Sequence, residues 1–307
     1  MAEGVPGGDD AAAAPRPPCA TYDVCFDLGH CFRLFDRPET FHVSQAGLAL
    51  GDHLVRHLRE RELGGRILEI GTGSGAISLL LRGLGASSIS ATDISAAAVS
   101  TARQNELANF GDAVIDFRHS DLFPDSPRRF DLIVFNPPGW RTPSDVFKAE
   151  LDEKHRSLDL AAMFYGDSVL LRFLHQLPEH LAPGGRAIIG LNSLVGIADI
   201  FGRSRSIQRP SGTATVHSEV LERIEFPLLF YTEEWLELRT SLLAQFEQGR
   251  EEYAATFITR GNTLHWFYEI TEVTVLAPFE ELALPSPLPT PARAVLQHSA
   301  GAEPLVG

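Results

Sequence analysis

Residues 66–76 read Arg66-Ile67-Leu68-Glu69-Ile70-Gly71-Thr72-Gly73-Ser74-Gly75-Ala76, an apolar run that passes into alternating glycines before Ile77-Ser78-Leu79-Leu80-Leu81 resumes. A short apolar run closed by glycine predicts a buried strand, and the apolar residues after it recur at helical spacing. Glycine lets the chain turn sharply and approach a ligand closely, while the first turn of the following helix leaves N–H groups free to meet one. Strand, glycine turn and helix in this order open a ligand-binding α/β sheet.

The alternation continues on both sides. Ser44 is placed as the N-cap of a helix carrying Leu50, Leu54, Val55 and Leu58, stopped at Gly64-Gly65. After the glycine turn we expect a helix over Gly75–Leu84, strands at Ser88–Thr92, Ala113–Phe117 and Asp131–Phe135, and a helix over Ala96–Asn109. Gly139–Tyr165 has no clear period and reads as a long substrate loop. A helix with Leu170, Phe173, Leu174, Leu177 and Leu181 then feeds the apolar strand Ala187–Leu191. Val220–Phe226 and Leu264–Leu276 read as later strands, with a helix between them that carries Trp235, Leu238, Leu242 and Phe246. Alternating strands and helices imply a parallel sheet covered on both faces.

Composition narrows the partners. A net charge of −14 repels a phosphate backbone, so a nucleic-acid partner is not expected. Arg203, Arg205 and Arg209 form only a modest cluster, read as a solvated loop. No apolar run reaches the length of a membrane span, and the first residues lack a secretory pattern, so a soluble, cytoplasmic enzyme is expected. Cys19, Cys25 and Cys31, even with His30 and His42 nearby, lack the close pairs of a zinc site, and their number and spacing suggest no disulfide framework. They are expected as buried or idle thiols, and no metal is expected. Oligomeric state is not legible.

The glycine turn also satisfies the fingerprint of dinucleotide binders, through Gly71, Gly73 and Ala76. Glu69 decides the matter. A carboxylate beside the loop repels a pyrophosphate but favours the ammonium of S-adenosylmethionine, directly or through water. Thr72 and Gly75 complete the loop. Asp93, with Ile94 beside it, ends the second strand, where an acidic side chain can accept both ribose hydroxyls. Asp121 can accept from the adenine amine while Leu122 packs on the ring, and a plain turn aspartate is the other reading.

The remaining signal is Asn136-Pro137-Pro138-Gly139-Trp140, at the carboxyl end of an apolar strand. The prolines stiffen the turn and remove donors, leaving the Asn136 side-chain oxygen and the Pro137 carbonyl as acceptors. Such a pair can hold an NH₂ group with its lone pair aimed at a methyl carbon.

Together, Glu69-x-Gly71-x-Gly73-x-Gly75, Asp93, Asp121 and Asn136-Pro137-Pro138 resemble the ordered motifs of class I S-adenosylmethionine-dependent methyltransferases, in their Asn-Pro-Pro branch. Gly71–Ile77 and Gly184-Gly185 are most similar to HemK-type and small-domain N-methyltransferases, which modify protein glutamine, nucleobases or small amines, and Arg37-Pro38-Glu39-Thr40 resembles a HemK-type tetrapeptide. The likeness runs from about Ser44 to Leu191.

It implies a Rossmann-like, seven-stranded, mostly parallel sheet with one antiparallel strand, supplied by Leu264–Leu276. It also implies S-adenosylmethionine as cofactor, Asn136 and Pro137 as catalytic groups, with Asn136 also bordering the cofactor, and Pro138 and Trp140 at the acceptor. The family motif carries Tyr or Phe where Gly139 stands, so Trp140 is expected to replace that ring, or else the acceptor is less flat. We expect an N-methyltransferase acting on a small molecule or peptide. A protein-glutamine or nucleobase enzyme is the nearer alternative; an NAD(P)-linked oxidoreductase or a non-catalytic binding module is the more distant one. The expected organisation is a tail over 1–18 and a catalytic domain over 19–276, followed by a Pro-rich tail over 277–307. The domain divides into an N-terminal helical cap (19–65), a cofactor-binding core (66–192), and C-terminal strands with a helical insertion (193–276).

Overall fold

The computed structural model describes residues 20–38, 40–125, 127–154, 163–209, 212–229 and 233–276. Both tails, Cys19 and Glu39 of the upstream tetrapeptide therefore lie outside the described residues. The described residues open with a hairpin, β1 (Thr21–Phe26) and β2 (His30–Phe35), followed by helix α1 (Gln45–His57) and a single turn, α2 (Glu60–Leu63). The expected helical cap is thus corrected. Alternation in β1 and β2 buries Val24 and Phe26 on the side of α1 and Phe32 and Leu34 on the side of the later helices Ala76–Gly83 and Ala96–Phe110, while Cys25 and Cys31 sit opposite each other on the exposed face and form a disulfide. The idle-thiol reading fails because two cysteines six residues apart become direct cross-strand neighbours once a hairpin forms between them.

Ser44 caps α1 as expected, its hydroxyl accepting from Gly47 N–H at 3.1 Å. The helix stops at His57, before Gly64-Gly65. Strand β3 (Arg66–Ile70) leads through the glycine turn to α3 (Ala76–Gly83), then β4 (Ser88–Asp93), α4 (Ala96–Phe110), β5 (Asp116–His119) and β6 (Phe130–Phe135). The third strand starts later than expected. Glu106 of α4 explains where: buried, it accepts from Val114 N–H and Ile115 N–H at 2.9 Å and from Arg82 at 2.6 Å, so residues 114–115 turn toward the helix.

The stretch read as an irregular loop holds a helix, α5 (Asp145–Lys154), whose Phe147 and Leu151 are buried. Then come α6 (Gly166–His180), β7 (Leu181–Asn192), a 3₁₀ turn at Ser193–Val195, α7 (Ile197–Ser204), β8 (Ser206–Arg209) and β9 (Gly212–Pro227). Arg203 and Arg205 fall at the end of α7 rather than in a loop, with Arg203 3.7 Å from Asp199. The insertion is two helices, α8 (Glu233–Glu237) and α9 (Arg239–Tyr253), before β10 (Phe257–Arg260) and β11 (Thr263–Leu276).

The sheet order is β5-β4-β3-β6-β7-β11-β9-β8, with β10 paired to β11. From β5 to β7 the strands are parallel; β11 runs against both β7 and β9. Seven strands, β5 to β9 in that order, form the expected mostly parallel sheet with one antiparallel member; β8 and β10 extend it. The first two parallel strands in sequence, β3 and β4, connect outward to β5, and β6 then returns to the other side of β3. That reversal opens a crevice at the carboxyl ends of β3 and β6, where open α/β sheets bind ligands.

Candidate active site

At the end of β3, Gly71, Gly73 and Gly75 adopt φ of +68°, +53° and +86°, a region costly for residues with a Cβ. Two of them have distinct further reasons to be glycine. A Cβ on Gly75 would sit 2.9 Å from Ala102 Cβ, so this residue lets α4 pack onto the turn. A Cβ on Gly73 would meet no atom within 4 Å, which leaves the space over the loop open. Asn105, fully buried on α4, donates to the Ser74 carbonyl at 2.8 Å and fastens the turn from behind.

Glu69 faces the underside of this turn. It is 5% exposed and accepts from the Thr72 hydroxyl at 2.7 Å and from the Ser78 hydroxyl. Burial pushes its carboxyl up to about 7, against the opposing pull of those hydrogen bonds. Thr72, also buried, spends its hydroxyl on Glu69 and so braces the loop.

Asp93 ends β4 with both oxygens engaged: Oδ2 accepts from Gly73 N–H and Oδ1 from Ser95 N–H, each at 2.8 Å. It joins the glycine turn to the start of α4. Ile94 beside it is 67% exposed, unusual for an isoleucine next to a crevice. Asp121 follows β5 and accepts from Arg172 of α6 at 2.6 Å. Leu122 is buried at φ +66°, its carbonyl accepting from the Thr92 hydroxyl at 2.6 Å.

Asn136 leaves the fully buried end of β6 and is itself partly open. Its Oδ1 accepts from the Tyr268 hydroxyl at 2.8 Å. Tyr268 stands on β11, two strands away, and reaches Asn136 across β7 because Gly190 gives way: a Cβ on Gly190 would lie 1.7 Å from the phenol oxygen. Burial pushes the phenol far above its ordinary range, so it remains a proton donor. A carbonyl oxygen has two lone pairs, and this bond uses one while fixing the amide's orientation. From the other side, Gly47 of α1 brings its backbone near the Asn136 amide nitrogen, which would lie 3.8 Å from a Cβ there.

Gly139 and Trp140 depart from the expectation. A Cβ at Gly139 would fall 2.8 Å from Asn192 Nδ2, so the Asn192 side chain occupies the ground a larger residue would need. Trp140 is 6% exposed, with Phe164, Trp235 and Phe246 packed edge-on around it at 5.1–5.7 Å between ring centres. Its ring belongs to that core and has no open face for a flat acceptor. The expected replacement of the missing ring by Trp140 is corrected. The chain returns to the turn where Trp140 N–H donates to the Met163 carbonyl at 2.7 Å and Gly166 N–H to the Trp140 carbonyl at 2.8 Å.

Tyr268, Gly190 and Asn192 escaped the sequence reading. The one trace they left is a glycine inside the apolar run Ala187–Leu191, since a glycine within a strand marks a close approach.

Fold and crevice define an α/β enzyme built around a glycine turn and an Asn-Pro-Pro turn on neighbouring strand ends. Residues 43–151 match the family model of the methyltransferase small domain. A putative protein N5-glutamine methyltransferase of Methanocaldococcus jannaschii is 33% identical over 159 residues, covering 52% of this chain and 75% of that protein. A release factor glutamine methyltransferase of Agrobacterium fabrum is 40% identical over 141 residues, covering 45% and 48%. The chain thus spans about half the length of that release factor enzyme. The solved ribosomal protein L11 methylase of Lactobacillus delbrueckii subsp. bulgaricus aligns with a TM-score of 0.42 and 18% identity over 76% of this chain and 82% of that one.

The chain belongs to the HemK-type, small-domain family of S-adenosylmethionine-dependent methyltransferases. It is a methyltransferase, which sets aside the oxidoreductase and non-catalytic readings. Among the described residues, no helix is long and apolar enough to cross a membrane.

Proposed function

We propose that this enzyme methylates the side-chain amide nitrogen of a glutamine in a protein or peptide, with the Asn136 oxygen and the Pro137 carbonyl receiving the nitrogen's hydrogens. The observation that carries this reading is the partly open Asn136 at the end of β6, its amide held by Tyr268. Relatives named as glutamine methyltransferases support the acceptor class. The net charge of −14 speaks against a nucleic-acid substrate.

The residues around the crevice fit S-adenosylmethionine. The open space over Gly73 admits the ligand beside Gly71, Asp93 offers its remaining lone pairs to the ribose, and Asp121 with Leu122 and exposed Ile94 suits the adenine. Bound there, the cofactor supplies an electrophilic methyl carbon on a sulfonium. Two acceptors on one nitrogen would orient its lone pair toward that carbon and draw on its N–H bonds; the N–C bond would form as the S–C bond breaks to leave a neutral thioether, and the proton shed by the nitrogen would pass to solvent. The chain's contribution is positioning.

A small amine is the second reading, favoured by Gly139 and the enclosed Trp140, which leave no aromatic platform for a planar group. Labelled cofactor offered to glutamine-containing release factor peptides, their asparagine counterparts and a panel of primary amines separates the two. Methyl incorporation mapped by mass to the glutamine side chain is expected. Transfer to amines alone selects the second reading; transfer only to oxygen or carbon removes both.

Two expected results follow from the donor side. Asp93→Ala should weaken S-adenosylmethionine binding by about 1.5–3 kcal/mol, the scale of hydrogen bonds to a charged group. Calorimetry on the folded variant measures it, and an unchanged dissociation constant would take Asp93 out of the cofactor site.

Glu69 makes the same binding depend on pH. With its carboxyl at about 7, the free enzyme is half protonated there, whereas a nearby ammonium favours the carboxylate. The sign follows from linkage: affinity should rise by about tenfold from pH 6 to pH 8, with about half a proton released at pH 7. For folding the direction is opposite. A raised carboxyl is uncharged in both states at low pH, and stability is lost as pH climbs from 4.5 toward 7. Titrations in buffers of different ionisation enthalpy count the protons, and Glu69→Gln should abolish the release; a release that survives the substitution would clear Glu69.

A further inference from the structure

Far from the glycine turn, the last turn of α1 meets strand β9. His53 and His57 stand four residues apart on one face of the helix, the spacing at which two imidazoles converge on one ion. Glu222 of β9 faces them, its Oε2 2.9 Å from His53 Nδ1. One potential ligand atom from each of these three residues lies within 4.8 Å of the other two.

Further features prepare the position. The register of β9 against β11 shifts so that Leu221 is left unpaired between Val220 and Glu222, and such a bulge re-aims the side chain beside it. Arg56 approaches both Glu222 oxygens, at 3.2 and 3.3 Å, as hydrogen-bonded partners do for carboxylates that bind metals. The carbonyl end of α1 also favours positive charge, and the chain as a whole carries −14. His53 is 3% exposed and its Nε2 is buried without a partner, so the ring is fixed through its Nδ1 side, toward Glu222. Nitrogen and oxygen ligands about 2.0–2.2 Å from an ion stand roughly 3.3 Å apart in a tetrahedron. The 2.9 Å between His53 and Glu222 reaches that spacing with a small outward movement.

We propose that His53, His57 and Glu222 bind one first-row divalent transition-metal ion, of the class held by two imidazoles and a carboxylate. The ion replaces the proton shared between His53 and Glu222 and ties the N-terminal helix to the C-terminal strands. Because the first turn of α1 holds Gly47, beside Asn136, the tie also fixes the helix that borders that residue. Neither the methylation reading nor its acceptor enters this inference.

The test uses the full chain, stripped with chelator and titrated with zinc at about pH 7.5, where free imidazoles are mostly neutral. Saturation at one ion per chain is expected, with a rise in melting temperature. His57→Ala alters an exposed residue and should fold normally while lowering zinc affinity at least about tenfold. Glu222→Gln should do the same and lose the zinc-dependent rise in melting temperature. Cobalt supplies a spectroscopic check, its visible ligand-field bands present in the parent chain and absent from both variants. Absence of stoichiometric binding overturns the proposal, as does binding that both variants retain, which would place the ion on other histidines.

Discussion

Asn136→Ala is expected to lower turnover at least about 100-fold while leaving S-adenosylmethionine binding within about threefold of the parent enzyme. The separation follows from what the side chain touches. Its oxygen accepts from Tyr268 and keeps a second lone pair directed elsewhere, whereas the donor-side contacts come from other strand ends. Removing the amide removes positioning that matters most when the acceptor nitrogen approaches the methyl carbon. Equilibrium binding of the cofactor and single-turnover transfer to the best acceptor give the two quantities. If transfer proceeds at the parental rate, Asn136 does not orient the nucleophile and N-methylation loses its main support. If binding falls in step with rate, the residue belongs to the donor pocket and the acceptor could be oxygen or carbon.

Much of the sheet was legible because backbone constraints restrict which residues can stand where. Gly71, Gly73 and Gly75 all take positive φ, and Pro137 and Pro138 remove donors, so those positions advertise themselves in one dimension. The strand assignments near them held because continuous apolar runs mark strands buried on both faces. Regions whose shape depends on partners distant in sequence were not legible. The hairpin β1–β2 was hidden because its pattern mixes cysteine, histidine and arginine, and its anchors include Asn105, which receives Phe35 N–H at 2.9 Å from seventy residues away, and Asn109, which receives Arg33 N–H. Tyr268 and Asn136 are separated by 132 residues, His53 and Glu222 by 169, and nothing local in either pair announces the other. Trp140 was misread for the same reason: an aromatic beside an Asn-Pro-Pro turn suggests a platform until Trp235 and Phe246, from the far insertion, close over it.

Gly190→Val is expected to destabilise the enzyme by about 3 kcal/mol, at the upper end of the ordinary cost of overpacking a core. The backbone of β7 cannot easily retreat, since it pairs with β6 on one side and β11 on the other. Tyr268 must yield instead, because a Cβ at this position would lie 1.7 Å from its oxygen and 2.4 Å from the ring carbon that carries it. For a domain of this size such a loss lowers the melting temperature by roughly 6–12 °C. Displacing Tyr268 also frees the Asn136 amide, so turnover should fall beyond what the remaining folded fraction explains.

The double variant Gly190→Val, Tyr268→Ala separates the two consequences. Removing the ring gives the valine room, so the pair should be at least about 1 kcal/mol more stable than the sum of the single effects. Its turnover should stay low, because the donor that holds Asn136 is gone. Melting curves and transfer rates on all four proteins supply the comparison. Additive stabilities would show that Gly190 does not make way for the tyrosine, and turnover recovered with stability would show that Tyr268 serves packing alone.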